Sequence, residues 1–159
     1  MEKAGRSDPL SLYTERTMRT LALDVGDATI GVAVTDPLGI TAQGVTTIER
    51  VGIKKDTTAV CQYIEEFQCN TVVCGLPIKL DGTDSPQTEK VREFARRLEN
   101  KLKSTGHPEV SIVFQDERLT TMQAERILLD ADVSRKKRKT VIDKQAAILI
   151  LQGYMDSHR

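Results

Sequence analysis

The stretch LALDVGDATIGVAV, residues 21–34, decides the fold, because a glycine-containing turn joins its two short apolar segments. Both segments are rich in apolar and β-branched residues, which is typical of two neighbouring strands. One carboxylate, Asp24, stands near the end of the first segment. An aspartate at this place either turns the chain through Gly26 or belongs to a functional site. The residues downstream are needed to separate these two interpretations.

Composition limits the class of protein. The chain has 159 residues, of which 39% are hydrophobic, and this is enough for one domain with a core. Lys plus Arg and Asp plus Glu are both 23, so a nucleic-acid partner would need a local basic patch. Three cysteines without CxxC spacing are typical of a reduced, cytoplasmic protein. We expect a flexible extension over residues 1–17, a single domain over 18–159, and no membrane partner.

The segments after residue 34 alternate between strands and helices. ITAQGVTTI, residues 40–48, predicts a third strand, so residues 19–48 are expected to form an antiparallel meander. The later segments are a helix capped at Asp56, a strand over 70–77, a helix capped at Ser85, a strand over 110–117, and helices over 119–131 and 140–155. The predicted order is β-β-β-α-β-α-β-α-α, which is an α/β fold.

Carboxylates follow the predicted strands at one edge of the sheet. If the first strand is central and later strands join it in parallel, the ends of the first, fourth and fifth strands emerge together. These ends carry Asp24, Gly75 and the pair Asp116 and Glu117, and Asp143 is predicted in the first turn of the last helix. Crowded carboxylates repel unless a cation holds them, and oxygen ligands favour Mg²⁺ or Mn²⁺. Such ions suit phosphodiester cleavage.

Four motifs in this order carry a resemblance to a known family. They are LALDVGDATIGVAVTD, VVCGLPIKLDGTDSPQT, QDERLTTMQAERIL and VSRKKRKTVIDKQAAILILQGYMDS. The chain resembles the YqgF (RuvX) family over residues 19–156, and members of that family are similar to RuvC-type Holliday junction resolvases. The resemblance implies an RNase H-like fold with a mixed five-stranded sheet flanked by helices.

The resemblance also implies an activity. It points to a metal-dependent nuclease, a hydrolase of phosphodiester bonds, that processes the 5′ end of pre-16S ribosomal RNA during ribosome biogenesis. A Holliday junction resolvase-like DNA endonuclease and a catalytically silent RNA-binding assembly factor are the alternatives. The expected partner is structured RNA or branched DNA, and symmetric cutting of a junction would require a homodimer.

The acidic positions of the family carry over to Asp24, to Asp116 and Glu117, and to Asp143. In the hypothesised mechanism two Mg²⁺ or Mn²⁺ ions share Asp24, while Glu117 and Asp143 hold one ion each. Strand alternation sends Asp116 and Glu117 to opposite faces, so we expect one of them to be a ligand and favour Glu117. Asp143 also fits a capping box with Thr140, which would need no metal. Related folds usually carry a carboxylate at the place of Gly75, so the metal geometry is expected to differ from that of RuvC.

Two segments are candidates for nucleic-acid binding. The run RKKRK consists of Arg135, Lys136, Lys137, Arg138 and Lys139, and it is expected to connect two helices as a phosphate-binding strip. The loop DGTDSP could present backbone N–H groups, Lys79 and Thr83 to a phosphate at a helix N-terminus. The alternatives are a solvated connection for the first segment and plain turn chemistry for the second.

Overall fold

A mixed five-stranded sheet organises the chain. The computed structural model describes residues 18–116 and 135–158, with side chains described through residue 116 and from residue 145 onward. The elements of these residues are β1 (Arg19–Val25), β2 (Thr29–Thr35), β3 (Ala42–Glu49), α1 (Ile53–Glu66), β4 (Cys69–Leu76), α2 (Pro86–Ser104), β5 (Ser111–Asp116) and α3 (Arg135–Ser157). The predicted helix at 119–131 lies outside the described residues.

The sheet has the predicted topology. Its strand order is β3-β2-β1-β4-β5, so β1 is central. The β1–β2 and β2–β3 pairs are antiparallel, which confirms the meander, and the β1–β4 and β4–β5 pairs are parallel. Parallel neighbours need a crossover, and α1 and α2 supply the two crossovers. The carboxyl ends of β1, β4 and β5 therefore lie at one edge of the sheet.

The two faces of the sheet bury different helices. Along β1, Leu21 and Leu23 belong to a core shared with α1 and α2, whereas Ala22 belongs to a core shared with α3. This separation follows from the two-residue period of a strand. The α3 core is built from small side chains, since Ala22, Ala33 and Ala147 are all fully buried. An alanine extends only one methyl group from the backbone, so α3 packs close to β1 and β2.

Helix α1 starts earlier than predicted. It begins at Ile53 after Gly52, whose φ of 143° is a conformation that favours glycine. Asp56 therefore lies in the first turn of the helix and is not its N-cap. Its carboxylate instead accepts a hydrogen bond of 3.0 Å from the N–H of Val51, so it fixes the chain that leads into the helix.

Helix α3 also starts earlier than predicted. It begins at Arg135, so the basic run is helical and does not form a connection. Lys and Arg are good helix formers, and nothing in this run ends a helix. Thr140 lies inside the helix and is not its N-cap, so the alternative of a capping box with Asp143 is wrong. Asp143 lies eight residues after the first residue of α3, beyond the first turn in which it was expected.

Helix α2 has the predicted start. Pro86 occupies the first turn, and the side chain of Ser85 accepts a hydrogen bond from the N–H of Thr88. The hydroxyl of Thr88 in turn accepts from the N–H of Ser85, which completes a capping box. The N–H groups of Ser85 and Thr88 are therefore hydrogen-bonded by side chains at the start of α2 itself.

The three cysteines are free and buried. Cys61 lies on α1, and Cys69 and Cys74 lie on β4. Burial raises the pKa of the Cys69 and Cys74 thiols to about 12. A thiol with such a pKa stays protonated at neutral pH, so these residues act as small apolar side chains.

Among the helices of the described residues, none combines the length and the apolar character that a membrane span requires.

Candidate active site

Asp24 lies at the carboxyl end of the central strand. It is half-buried and lies two residues after Ala22. Residues two apart in a strand share a face, so Asp24 is on the face covered by α3. Its antiparallel partner on β2 is Gly31. The parallel register pairs Leu23 with Cys74, so the next step places Gly75 beside Asp24 on β4. Neither neighbouring strand has a side chain at the level of this carboxylate, and such glycines are typical of places where a ligand approaches the backbone.

The same register separates the residues at the end of β5. Gln115 pairs with Gly75, so it shares the face and the level of Asp24. Its amide reaches α3, where a Cβ atom built on Gly153 would be 3.3 Å from its Nε2 atom. Asp116 is exposed and follows by alternation on the opposite face of the sheet. The structure therefore brings Gln115, and not Asp116, onto the face of Asp24.

The structure describes less of Glu117 and Asp143, the two other predicted site residues. Glu117 lies outside the described residues. Asp143 is described by its position in the backbone of α3, four residues before Ala147 and seven before Ile150. Ala147 and Ile150 are both fully buried against the sheet. Spacings of four and seven residues recur on one side of a helix, so Asp143 occupies a position in line with the stripe that packs on the sheet.

The turn after Asp24 is held by side chains from distant parts of the chain. Gly26 donates its N–H to the carbonyl of Thr29 over 2.9 Å, which closes the turn itself. Gln87 on α2 donates its side-chain amide to the carbonyl of Val25, and Arg50 donates a guanidinium N–H to the carbonyl of Gly26, both over 2.9 Å. The sequence analysis did not identify Arg50 or Gln87. Arg50 directly follows β3 and Gln87 lies in the first turn of α2, and neither position marks a residue as functional in the sequence.

Arg50 is fixed by a buried partner. Its Nε atom lies 2.9 Å from Oδ2 of Asp56, a residue that is only 1% exposed. The guanidinium also lies 5.3 Å above the centre of the Phe94 ring. Burial acts to raise the pKa of Asp56, but the Val51 N–H and Arg50 hold that pKa below its ordinary value. Asp56 therefore stays charged and keeps Arg50 in place.

The loop before α2 uses its donors internally. The N–H of Lys79 donates to the carbonyl of Thr83, and the N–H of Gly82 donates to the carbonyl of Lys79. Thr83 donates both its hydroxyl and its N–H to Asp81, and these bonds lower the pKa of that carboxyl. These donors are therefore used within the loop, and the binding of a phosphate by Lys79 and Thr83 stays a prediction. Lys79 is exposed at its surface.

The donor set near Asp24 fits a hard cation. Asp24 and Gln115 carry side-chain oxygen atoms at this level of the sheet, and the neighbouring Gly31 and Gly75 add no imidazole or thiol. Oxygen ligands of this kind suit Mg²⁺ or Mn²⁺. No group of three or more His, Cys, Asp or Glu side chains that could hold a metal occurs within the part of the chain that the structure describes. A complete site would therefore need Glu117, Asp143, or both.

Comparison with known proteins identifies the fold and the family. The structure of T. thermophilus RuvC in complex with Holliday junction substrate is similar to this chain, with a TM-score of 0.52. The likeness covers 88% of this chain and 96% of that chain at 14% sequence identity, and it shows the RNase H-like fold of RuvC-type resolvases. The RuvX family, described as Holliday junction resolvase, matches residues 18–157. The chain belongs to this family.

Two relatives are similar over almost their whole length. A protein of Clostridioides difficile strain 630, named "Putative pre-16S rRNA nuclease", is 54% identical over 138 residues. That alignment covers 87% of this chain and 94% of the relative. A protein of the same name from Clostridium tetani is 50% identical over 140 residues, covering 88% of this chain and 97% of the relative.

Proposed function

We propose that this chain is a nuclease, an enzyme that hydrolyses phosphodiester bonds, and that it processes the 5′ end of pre-16S ribosomal RNA. Family membership and the names of the relatives support the activity and the substrate. The observation that carries the catalytic part is the position of Asp24 at the carboxyl end of the central strand, with glycines on both sides. Such a substrate implies action in the cytoplasm. We further propose that residues 18–159 form one domain to which residues 1–17 are an extension.

We assign the metal ligands to Asp24, Glu117 and Asp143, which together would hold the Mg²⁺ or Mn²⁺. Bound Mg²⁺ or Mn²⁺ would activate water and neutralise the charge that develops on the phosphate. Asp24 would hold the metal near the carboxyl end of the central strand. Gly31 and Gly75 would leave space for the scissile phosphate beside it, and Gln115 could donate an amide N–H to a phosphate oxygen on the same face. The position of Asp116 on the opposite face supports Glu117 as the ligand from this segment.

The test of this function is a comparison of substrates with the purified full-length chain. We expect Mg²⁺-dependent cleavage of a transcript that contains the 5′ leader of 16S RNA, and we expect EDTA to stop it. A four-way DNA junction serves as the parallel substrate. Symmetric cutting of the junction would favour the resolvase alternative, which also requires a two-fold dimer, whereas RNA trimming requires only a monomer. Tight RNA binding without cleavage in either metal would favour the assembly factor.

The basic run at the start of α3 is proposed to bind phosphates, together with the exposed Lys79. Five consecutive helical residues span more than one turn, so the positions of Arg135, Lys136, Lys137, Arg138 and Lys139 are distributed around the helix. The strip was expected in a connection between two helices, whereas these residues form the first turns of α3. Phosphates on two sides of the helix could then be contacted at once.

Replacing the five residues 135–139 with Gln should weaken nucleic-acid binding and reduce its salt dependence. The slope of log K against log salt should fall by roughly 0.9 per lost phosphate contact on duplex DNA and about 0.7 on a single strand. Fluorescence anisotropy titrations at several salt concentrations measure this slope. Gln at Lys54 and Lys55, an exposed pair on α1, is the control and should leave the slope almost unchanged. An unchanged slope in the first variant would remove the run from the binding surface.

A further inference from the structure

Three contacts fix the backbone directly after Asp24. Gln87 holds the carbonyl of Val25, and Arg50 holds the carbonyl of Gly26, each over 2.9 Å. The N–H of Arg50 also donates to the carbonyl of Ala28 over 2.9 Å. The turn that follows the proposed metal ligand is therefore attached to the end of β3 and to α2.

The attachments come from the face of the sheet opposite to Asp24. Arg50 lies over Phe94, which belongs to the core shared with α1 and α2, whereas Asp24 faces α3. Arg50 and Gln87 therefore act on Asp24 through the backbone and leave the α3 face free of their side chains. The buried carboxylate of Asp56 holds Arg50 in this position at 2.9 Å.

We propose that Arg50, its partner Asp56, and Gln87 are positioning residues for the metal-binding carboxylate of Asp24. This inference rests on the proposed function. Asp24 is the penultimate residue of β1, and only Val25 separates it from the turn. Anchoring the next two carbonyls limits the rotation of the backbone at Asp24, so the carboxylate is held in the orientation that a metal requires.

The arrangement explains features that packing alone does not require. Burying an ion pair is costly relative to apolar residues of similar size, so a buried Arg–Asp pair is weak evidence for a stabilising role. Arg50 contacts Asp56 through Nε and the Gly26 carbonyl through Nη1, and the single nitrogen of a lysine does not offer two donors at this fixed spacing. Because Asp56 lies on α1, the pair links α1 to the turn after Asp24.

The test measures Mn²⁺ affinity directly, by electron paramagnetic resonance of the metal titrated into the full-length chain. Gln87→Met removes the hydrogen bond to Val25 with little change in side-chain shape. Arg50→Lys keeps a cation beside Asp56 but loses the second contact. Changes in residues that orient metal ligands typically reduce metal affinity by about 10–100-fold, and we expect a loss of this size in both variants. The half-saturating Mg²⁺ concentration for cleavage should rise in parallel, while the rate at saturating Mg²⁺ changes less.

The control is Arg92→Lys on the same helix as Gln87. Arg92 also pairs with an aspartate, Asp84, and also lies over an aromatic ring, Phe114, but it has no contact with the turn after Asp24. Its Mn²⁺ affinity should equal that of the wild type. If Gln87→Met and Arg50→Lys are both folded by circular dichroism and both bind Mn²⁺ with the affinity of the wild type, the positioning role alone is overturned. Failure of the wild type to bind Mn²⁺, or wild-type cleavage by Asp24→Asn, would overturn the proposed function instead.

Discussion

Asp24→Asn is expected to abolish metal-dependent cleavage of the RNA substrate while the protein still folds and binds RNA. Asparagine has nearly the same shape as aspartate, so a residue that serves only the turn would tolerate the change. Loss of the negative charge from a metal ligand removes transition-state stabilisation of several kcal/mol, which corresponds to a rate loss of several orders of magnitude. Single-turnover cleavage in Mg²⁺ and again in Mn²⁺ measures this loss.

Asp116→Asn is the matched control for this experiment. It makes the same chemical change in another carboxylate at the same edge, but on the opposite face of the sheet. Its cleavage rate should stay within a few-fold of the wild type. The melting temperature of metal-free Asp24→Asn should be equal to or above that of the wild type if carboxylates crowd around it. Cleavage at the wild-type rate by Asp24→Asn in both metals would contradict the proposed site.

Ala147→Leu is expected to have the second-largest effect, on both stability and activity. Ala147 is fully buried between α3 and the sheet, in the same core as the fully buried Ala22 and Ala33. Overpacking of this kind destabilises a protein by about 1–3 kcal/mol. Because Asp143 lies one turn before Ala147, displacement of the helix should also displace a proposed metal ligand. Thermal unfolding measures the loss of stability, and cleavage rates taken well below the melting temperature measure the loss of activity in the folded variant.

Ala95→Leu provides the comparison. Ala95 is a buried alanine on α2, in the core on the other face of the sheet. The same substitution there enlarges a core side chain without contact to α3. We expect Ala95→Leu to retain cleavage activity at temperatures where it is folded, while Ala147→Leu loses it. Equal activity of the two folded variants would mean that the position of α3 does not matter for catalysis.

The topology was predictable because it depends on local patterns. β-Branched segments, turn residues and helical spacing identified each described strand and its partners, and the parallel crossovers then fixed which strand ends meet. The two-residue period of a strand also predicted that Asp116 and its neighbour Glu117 lie on opposite faces. The starts of α1 and α3 were predicted wrongly, because Asp56 and Thr140 are good caps in isolation. Gly52 starts the first of these helices instead, and the second continues back through residues that favour helix.

The support behind Asp24 was not predictable from the sequence. Gln87 is 62 residues away from Val25, and Arg50 is 24 residues away from Gly26. Such contacts depend on how α1 and α2 pack on the sheet, and no local spacing encodes them. The two glycines beside Asp24 were visible as residues, but only the strand register placed them next to the carboxylate.

The three buried cysteines give this chain its own reporters of opening motions. Cys74 is fully buried in the middle of the sheet, Cys69 lies at the start of the same strand, and Cys61 lies on a covering helix. A thiol reagent can reach each of them only when the surrounding structure opens, so the three labelling rates report separate opening reactions. Cys61 should react through detachment of α1, whereas Cys74 should require global unfolding. Mass spectrometry of labelled peptides would then show which layer separates first, without any engineered probe.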